Sequence, residues 1–200
     1  MLKEKPRIAV FVSGGGTNLQ ALLDDAAKGN LPDGEIALVL ASRSDAYALT
    51  RAANAGVPGV VVARKQCASQ AEFEEKILDA LREYKIEMIV LAGFMSILSE
   101  SFTSRFPKRL LNVHPSLIPA FCGQGFYGLR VHEAALERGV KISGATVHFV
   151  NEIPDGGEIV AQKAVYIEEG DTPETLQRRV MEQAEWILLP QAAEMVCASM

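Results

Sequence analysis

Cysteine and histidine are both scarce in this chain. Cys67, Cys122 and Cys197 are three thiols in 200 residues, an odd number at wide spacing. They offer neither a disulfide framework nor a paired metal spacing, and they point to a reducing, cytoplasmic compartment. His114, His132 and His148 are scattered in the same way, so no metal site is expected. No apolar run approaches the length of a membrane span, and Met1–Pro6 lacks the apolar core of a signal peptide. Positive charge is in deficit. Twenty Lys and Arg against 25 Asp and Glu leave a net charge of -5, which argues against a nucleic-acid partner, because phosphate neutralisation needs clustered cations. Repeats, low-complexity tracts and internal linkers are absent as well. What remains is an ordinary globular composition, 48% hydrophobic and 22% charged, with the length of a single domain over residues 1–200.

Apolar, β-branched runs alternate with helical patterns along most of that length. Strands are predicted over 7–12, 35–41, 60–62, 86–91 and 109–113. Helices are predicted over 19–28, 46–55, 70–84 and 100–106, and again over 129–137. Such alternation indicates an α/β, Rossmann-like, mostly parallel sheet with helices on both faces. The rhythm changes after residue 139. Two longer strands, 141–150 and 158–167, flank the turn-rich 151–157, which predicts an antiparallel C-terminal portion. A last helix begins near Pro173 with Thr172 as its cap and runs through Leu176, Val180, Trp186 and Leu189.

Two places carry chemistry. The first strand feeds directly into Ser13-Gly14-Gly15-Gly16-Thr17-Asn18 and then a helix. Glycines let a backbone approach an anion, free N–H groups at a helix start point at it, and Thr17 and Asn18 add side-chain donors. The spacing matches neither a dinucleotide fingerprint nor a Walker loop. A tight strand–helix turn without a ligand is the alternative. Three consecutive glycines weigh against it, because each is entropically unfavourable by about 0.5–1 kcal/mol relative to alanine.

The second place is the end of the fifth strand, Leu110-Leu111-Asn112-Val113-His114-Pro115-Ser116-Leu117-Ile118-Pro119. Asn112 and His114 are two apart, so a strand turns both to one face and Leu111 and Val113 to the other. An amide donor beside an imidazole can polarise a carbonyl and move a proton. Asp155, in a Pro-Asp-Gly-Gly loop, is the candidate to orient the imidazole and favour its charged form. Each residue also has a plain role: a buried histidine satisfied by backbone, a strand-end cap, a turn aspartate. His132 is expected to be partly exposed on its helix and His148 to be structural in its strand.

Four blocks occur in a telling order: Ser13-Gly14-Gly15-Gly16-Thr17-Asn18-Leu19-Gln20, Leu91-Ala92-Gly93-Phe94-Met95-Ser96-Ile97-Leu98, Asn112-Val113-His114-Pro115-Ser116-Leu117-Ile118-Pro119, and Val147-His148-Phe149-Val150 with Asp155-Gly156-Gly157. Together, from about residue 7 to 190, the chain resembles the phosphoribosylglycinamide formyltransferase family, the folate-dependent transformylases of purine synthesis. The resemblance implies the formyltransferase fold. It also implies 10-formyltetrahydrofolate as co-substrate, with no metal, and a ribonucleotide amine as acceptor. Asn112, His114 and Asp155 then match the catalytic trio. Gly15, Gly16, Thr17 and Asn18 fall in the phosphate loop. Met95, Ser96, Ile97 and Leu98, with Asn112, fall on the folate side. Glu185 matches a ribose-binding glutamate once one residue is inserted between Val180 and Glu185. On this view residues up to about 108 form a phosphate-binding half, and about 109–200 a folate and catalytic half. The chain departs from the family pattern at Gln70, where an arginine near the folate tail is common. It departs again in the loop 120–128 and at Trp186, where histidine is usual. Arg178 and Arg179 are candidates for the cation that balances the phosphate.

Rival functions are separable. A formyltetrahydrofolate deformylase would use water in place of the amine and resembles this domain preceded by a regulatory one. A transfer-RNA formyltransferase would need a basic face. A non-catalytic nucleotide-binding module would keep the glycine turn and need neither His114 nor Asp155. A dehydrogenase would need a different glycine spacing and an acid after the second strand. The expected partners are therefore small molecules, with neither nucleic acid nor membrane.

Overall fold

The computed structural model describes residues 4–200. Met1, Leu2 and Lys3, which begin the segment read above for a signal peptide, lie outside the described residues. The strands are β1 (Arg7–Val12), β2 (Glu35–Ala41), β3 (Gly59–Val61), β4 (Met88–Leu91), β5 (Leu110–His114), β6 (Ile142–Phe149) and β7 (Ile159–Tyr166). They form one sheet in the order β3-β2-β1-β4-β5-β6-β7. Every pair from β3 to β5 is parallel, and β5–β6 and β6–β7 are antiparallel. This is the expected architecture, Rossmann-like and mostly parallel with an antiparallel C-terminal portion.

The helices are α1 (Thr17–Ala27), α2 (Ala48–Asn54), α3 (Gln70–Glu83), α4 (Glu100–Thr103), α5 (Leu129–Arg138), α6 (Pro173–Val180) and α7 (Trp186–Ser199). The period-two rule divides the core cleanly. Ile8, Val10 and Val12 of β1 pack with Leu19 and Leu22 of α1 and Leu189 and Ala193 of α7 on one face. Ala9 and Phe11 pack with Phe73, Ile77 and Leu81 of α3 on the other. Strands buried on both faces explain why the sequence reads as unbroken apolar runs. The same partition puts Leu111 and Val113 on the first face and Leu110 on the second, so Asn112 and His114 share the α3 side.

β1 and β2 keep their expected bounds; elsewhere boundaries differ from expectation by one to three residues, the most at the end of α4, which stops at Thr103 rather than at 106. α1 begins at Thr17, two residues early, because Gly16 takes the left-handed conformation (φ 73°) and turns the chain straight into the helix. α6 begins at Pro173 as expected. The Thr172 hydroxyl accepts from Thr175 N–H, and the Thr175 hydroxyl accepts from Thr172 N–H, a reciprocal cap. The last helix is not continuous. Met181–Glu185 forms a π-helical turn between α6 and α7. A π turn accommodates one extra residue in a helix. It falls on the stretch between Val180 and Glu185 where the family alignment needs its inserted residue.

Candidate active site

In a parallel sheet, chain segments leaving the carboxyl ends of neighbouring strands share one rim. Here the Gly14–Gly16 turn leaves β1, Met95–Leu98 follows β4, and Asn112 and His114 end β5, with β4 lying between β1 and β5. Two loops converge on the end of β5. Phe121 O lies 2.8 Å from His114 Nε2, and Asp155 Oδ2 lies 3.4 Å from His114 Nδ1. An imidazole with an acceptor on each nitrogen can satisfy both only as imidazolium. His114 is buried, at 4% exposure, so solvent does not compete for those contacts.

Asp155 is held in place from several sides. It adopts φ 54°, and its Oδ2 accepts from Gly123 N–H at 2.9 Å. Gly157 explains why the loop reads Asp-Gly-Gly: a Cβ there would sit 1.7 Å from Phe149 O, so only glycine lets the loop lie against the end of β6. Burial pushes the Asp155 carboxyl up. Its contact with His148, the Gly123 N–H and the charges of His114 and His148 outweigh burial and hold it below the ordinary carboxylate value.

The antiparallel register pairs Asn112 with His148 directly across β5 and β6. Asn112 Nδ2 is 3.3 Å from His148 Nε2, which is 3.5 Å from Asp155 Oδ1, and His148 Nδ1 lies 2.8 Å from Phe149 O. With its Nδ1 proton donated to that carbonyl, a neutral His148 accepts the Asn112 amide proton at Nε2, whereas a charged His148 donates from Nε2 to Asp155. His148 therefore belongs to the cluster, where the sequence had suggested a structural role. The β6–β7 register shifts between Val147 and His148, the kind of irregularity that re-aims a side chain. Strand pairing reveals this: the block Val147-His148-Phe149-Val150 carried part of the family resemblance, but nothing within it put His148 beside Asn112.

His132 corrects an expectation outright. It is fully buried, with both ring nitrogens unpartnered among the described residues. Burial, with the nearby charge of His114, lowers its pKa to about 4. The error came from polar neighbours on α5: the helix turns His132 with Val131 and Ala135 toward the sheet.

At the other end of the rim, Asn18 Nδ2 donates to Glu185 Oε2 at 2.8 Å across 167 residues. Glu185 sits at the end of the π turn and is buried, which raises its carboxyl pKa against a smaller opposing effect of the Asn18 hydrogen bond. Asn18 Oδ1 is buried with no hydrogen-bond partner among the described residues, an acceptor that a ligand hydroxyl could satisfy. α1 has no capping side chain and no acid in its first turn, which leaves its starting N–H groups for an anion. Arg179 does not serve that anion. Its guanidinium is taken by Asp171, Glu168 and Tyr166 O. Arg178 is exposed on α6.

Met95 and Ile97 are exposed apolar side chains, at 64% and 85%, and Met95 lines a cavity of about 850 Å³. Ser13, Gly14, Ser42, Arg64 and Ser96 help to line it. Ser13 and Ser42 share a buried 2.6 Å hydroxyl contact, and Ser13 Oγ accepts from Met95 N–H at 2.8 Å, tying the ends of β1, β2 and β4 together. Gln70 stands where the family often has arginine. It donates to Ile97 O at 2.9 Å and accepts from Arg64 Nε at 3.1 Å, so a guanidinium reaches that place from a neighbouring segment.

Residues 6–192 match the family described as formyl transferase. The chain belongs to the formyl transferase family. Its relatives include the phosphoribosylglycinamide formyltransferase of Haemophilus influenzae, 43% identical over 177 residues that cover 88% of this chain and 81% of that protein. The chloroplastic phosphoribosylglycinamide formyltransferase of Arabidopsis thaliana is 39% identical over 180 residues. That match takes in 90% of this chain, but the chain spans only 61% of the Arabidopsis protein. The crystal structure of phosphoribosylglycinamide formyltransferase from Brucella melitensis superposes with a TM-score of 0.88 at 41% identity, covering 98% of both chains. The family expected from the sequence blocks, and its fold, are those found. Among the described residues no helix of this formyl transferase is long and apolar enough to cross a membrane.

Proposed function

We propose that this formyl transferase moves the formyl group of 10-formyltetrahydrofolate to the amine of 5′-phosphoribosylglycinamide, a step of de novo purine synthesis. One observation carries the reading: Asp155 reaches both His114 and His148, at 3.4 and 3.5 Å, with Asn112 attached to His148. That is a chargeable imidazole and, through a second imidazole, an electrophile-activating amide, both tied to one carboxylate at a strand end.

The chemistry follows from the groups. The acceptor amine attacks the formyl carbon and the carbonyl electrons collect on oxygen. Asn112 N–H and protonated His114 are the donors for that oxyanion. The bond from formyl carbon to folate nitrogen then breaks. That nitrogen takes a proton in place of the one released by the amine, relayed by His114 or by a water it holds. Asp155 favours the imidazolium, and His148, by accepting from Asn112, fixes which way the amide faces. For His114 Nε2 to serve the reaction, the Phe121 carbonyl has to yield it. No protein atom becomes formylated, so neither cysteine nor serine nucleophile is required.

Gly15, Gly16, Thr17 and Asn18 hold the acceptor phosphate, and Glu185 holds its ribose. Met95, Ser96, Ile97 and Leu98, with Asn112, hold the folate. The phosphate-binding half runs to about residue 108 and the folate and catalytic half follows, with Met95–Leu98 and Glu185 reaching across that division. Holding two substrates on one rim contributes much of the rate, and the phosphate supplies binding energy remote from the reacting centre. The reading needs no metal, nucleic acid or membrane. It places the enzyme in the cytoplasm, where the free thiols of Cys67, Cys122 and Cys197 persist.

The test is formyl transfer by purified protein given 10-formyltetrahydrofolate, with and without phosphoribosylglycinamide. Deformylated folate should appear only with the acceptor. Release at the same rate without it would identify a deformylase instead, and no release in either case would leave a binding module.

A further inference from the structure

We propose that Arg51 of α2 is a positioning residue for the acceptor phosphate, acting through the peptide planes of the glycine turn; this rests on the phosphate reading of that turn given above. The turn leans on the first turn of α2. Gly14 O accepts from Ala48 N–H at 3.1 Å, and Gly15 O accepts from Arg51 Nε at 2.7 Å. In a planar trans peptide the carbonyl and the following N–H point in opposite directions. Two carbonyls drawn toward α2 therefore turn the N–H groups of Gly15 and Gly16 away from it, to the exposed side of the turn. The approach is too close for any side chain at residue 16: a Cβ on Gly16 would meet Ala48 Cβ at 2.7 Å and Arg51 Cδ at 3.5 Å.

The guanidinium is itself fixed. Arg51 Nη1 donates to Gln20 Oε1 at 3.0 Å, and its central carbon stacks 5.1 Å from the Tyr47 ring centroid. It thus bridges the turn, α1 and α2, and lines a cavity of about 280 Å³ together with Thr17, Gln20 and Trp186. With Arg179 spent on Asp171 and α1 lacking any acid in its first turn, Arg51 adds positive charge beside N–H groups that it also aims. The guanidinium acts on the phosphate end of the acceptor and on nothing at the amine.

The experiment compares wild type, Arg51→Ala and Arg51→Lys with two acceptors, phosphoribosylglycinamide and its 5′-dephosphorylated nucleoside. It also titrates inorganic phosphate alone against each protein by calorimetry. Loss of a charge-assisted contact predicts that Arg51→Ala raises KM for the ribonucleotide about 10- to 100-fold, with kcat and the folate KM within about 2-fold. Arg51→Lys, which keeps the charge but not the fork, should recover part of the loss and serves if the alanine variant does not fold. Toward the dephosphorylated acceptor, Arg51→Ala and wild type should be equal, and phosphate should bind the alanine variant more weakly. Equal losses with both acceptors would make Arg51 merely structural and overturn the proposal. So would unchanged ribonucleotide KM and phosphate affinity in Arg51→Ala. Weakened phosphate binding in a protein that formylates neither acceptor would leave Arg51 standing and discard the proposed reaction.

Discussion

Asp155→Asn isolates the charge of the central carboxylate. The amide keeps an oxygen for Gly123 N–H, which Asp155 Oδ2 accepts at 2.9 Å, so the loop contact survives while the charge is lost. In the parent, a carboxylate oxygen lies 3.4 Å from His114 Nδ1 and another 3.5 Å from His148 Nε2. A unit charge pair at that range is worth about 4–5 kcal/mol at an effective dielectric near 20. Only the part that grows as the imidazole takes up its proton lowers the barrier. If that is about 3 kcal/mol, turnover falls on the order of 10²-fold. KM for both substrates should change little, because neither substrate is assigned to Asp155. Steady-state formyl transfer near neutral pH gives kcat and both KM values. The variant also tests the electrostatics away from catalysis. A carboxyl held below its usual value stabilises the fold above the unfolded carboxylate range and loses that contribution as pH falls through the folded value. The stability gap between parent and variant should therefore be present at neutral pH and close in strong acid, as read by urea unfolding. Near-normal turnover in a folded Asp155→Asn protein would refute the role of this carboxylate.

Other perturbations probe separate parts. Asn18→Asp puts a second carboxylate against Glu185, 2.8 Å from the present amide nitrogen, and beside the proposed phosphate; it should weaken the ribonucleotide far more than folate, and equal weakening of both would count against a phosphate site. Glu74 is buried and accepts from Ser99 N–H and Ser99 Oγ, both at 2.6 Å, and from Gln70 Nε2 at 2.7 Å; Glu74→Gln should lower stability by about 1–3 kcal/mol and, by loosening the turn after Ile97, raise the folate KM more than the acceptor KM. Gly157→Ala drives a methyl into Phe149 O and should destabilise by about 3 kcal/mol, seen as a lower denaturant midpoint with unchanged slope. His132, neutral in its apolar site with a pKa of about 4, stays uncharged on folding, so the unfolded chain binds the extra proton as pH drops from about 6.5. Its contribution is complete above that value and declines by about 3 kcal/mol toward pH 4, and His132→Leu should flatten the stability profile across that window; an unaltered profile would show that another group titrates there.

Much of the candidate site was legible because it is punctuated locally. Glycine at a strand–helix junction, an Asn-x-His pair before proline and an Asp-Gly-Gly loop are each written within a few residues. Glu185 was visible only through the family resemblance, since a glutamate on an amphipathic helix has no local signal. It needed a π turn to bring it to Asn18. His148, His132 and Arg51 were missed for a common reason. What each does depends on a residue brought near from elsewhere in the chain: Asn112 across an antiparallel register, the sheet face under α5, and the carbonyl of Gly15.

By itself the chain's pattern of apolar runs and turn residues determined which segments are strands and helices, that the central strands are buried on both faces, and which residue types end them. Those properties come from side-chain period and backbone sterics, which act over a few residues. The tertiary structure alone decided which histidine meets which carboxylate, which arginine stands beside the glycine turn, and which carbonyl occupies His114 Nε2. Hydrogen bonds and charges act over a few ångströms of space, and residues as far apart as Asn18 and Glu185 reach that range only once the sheet has set their strands and helices side by side.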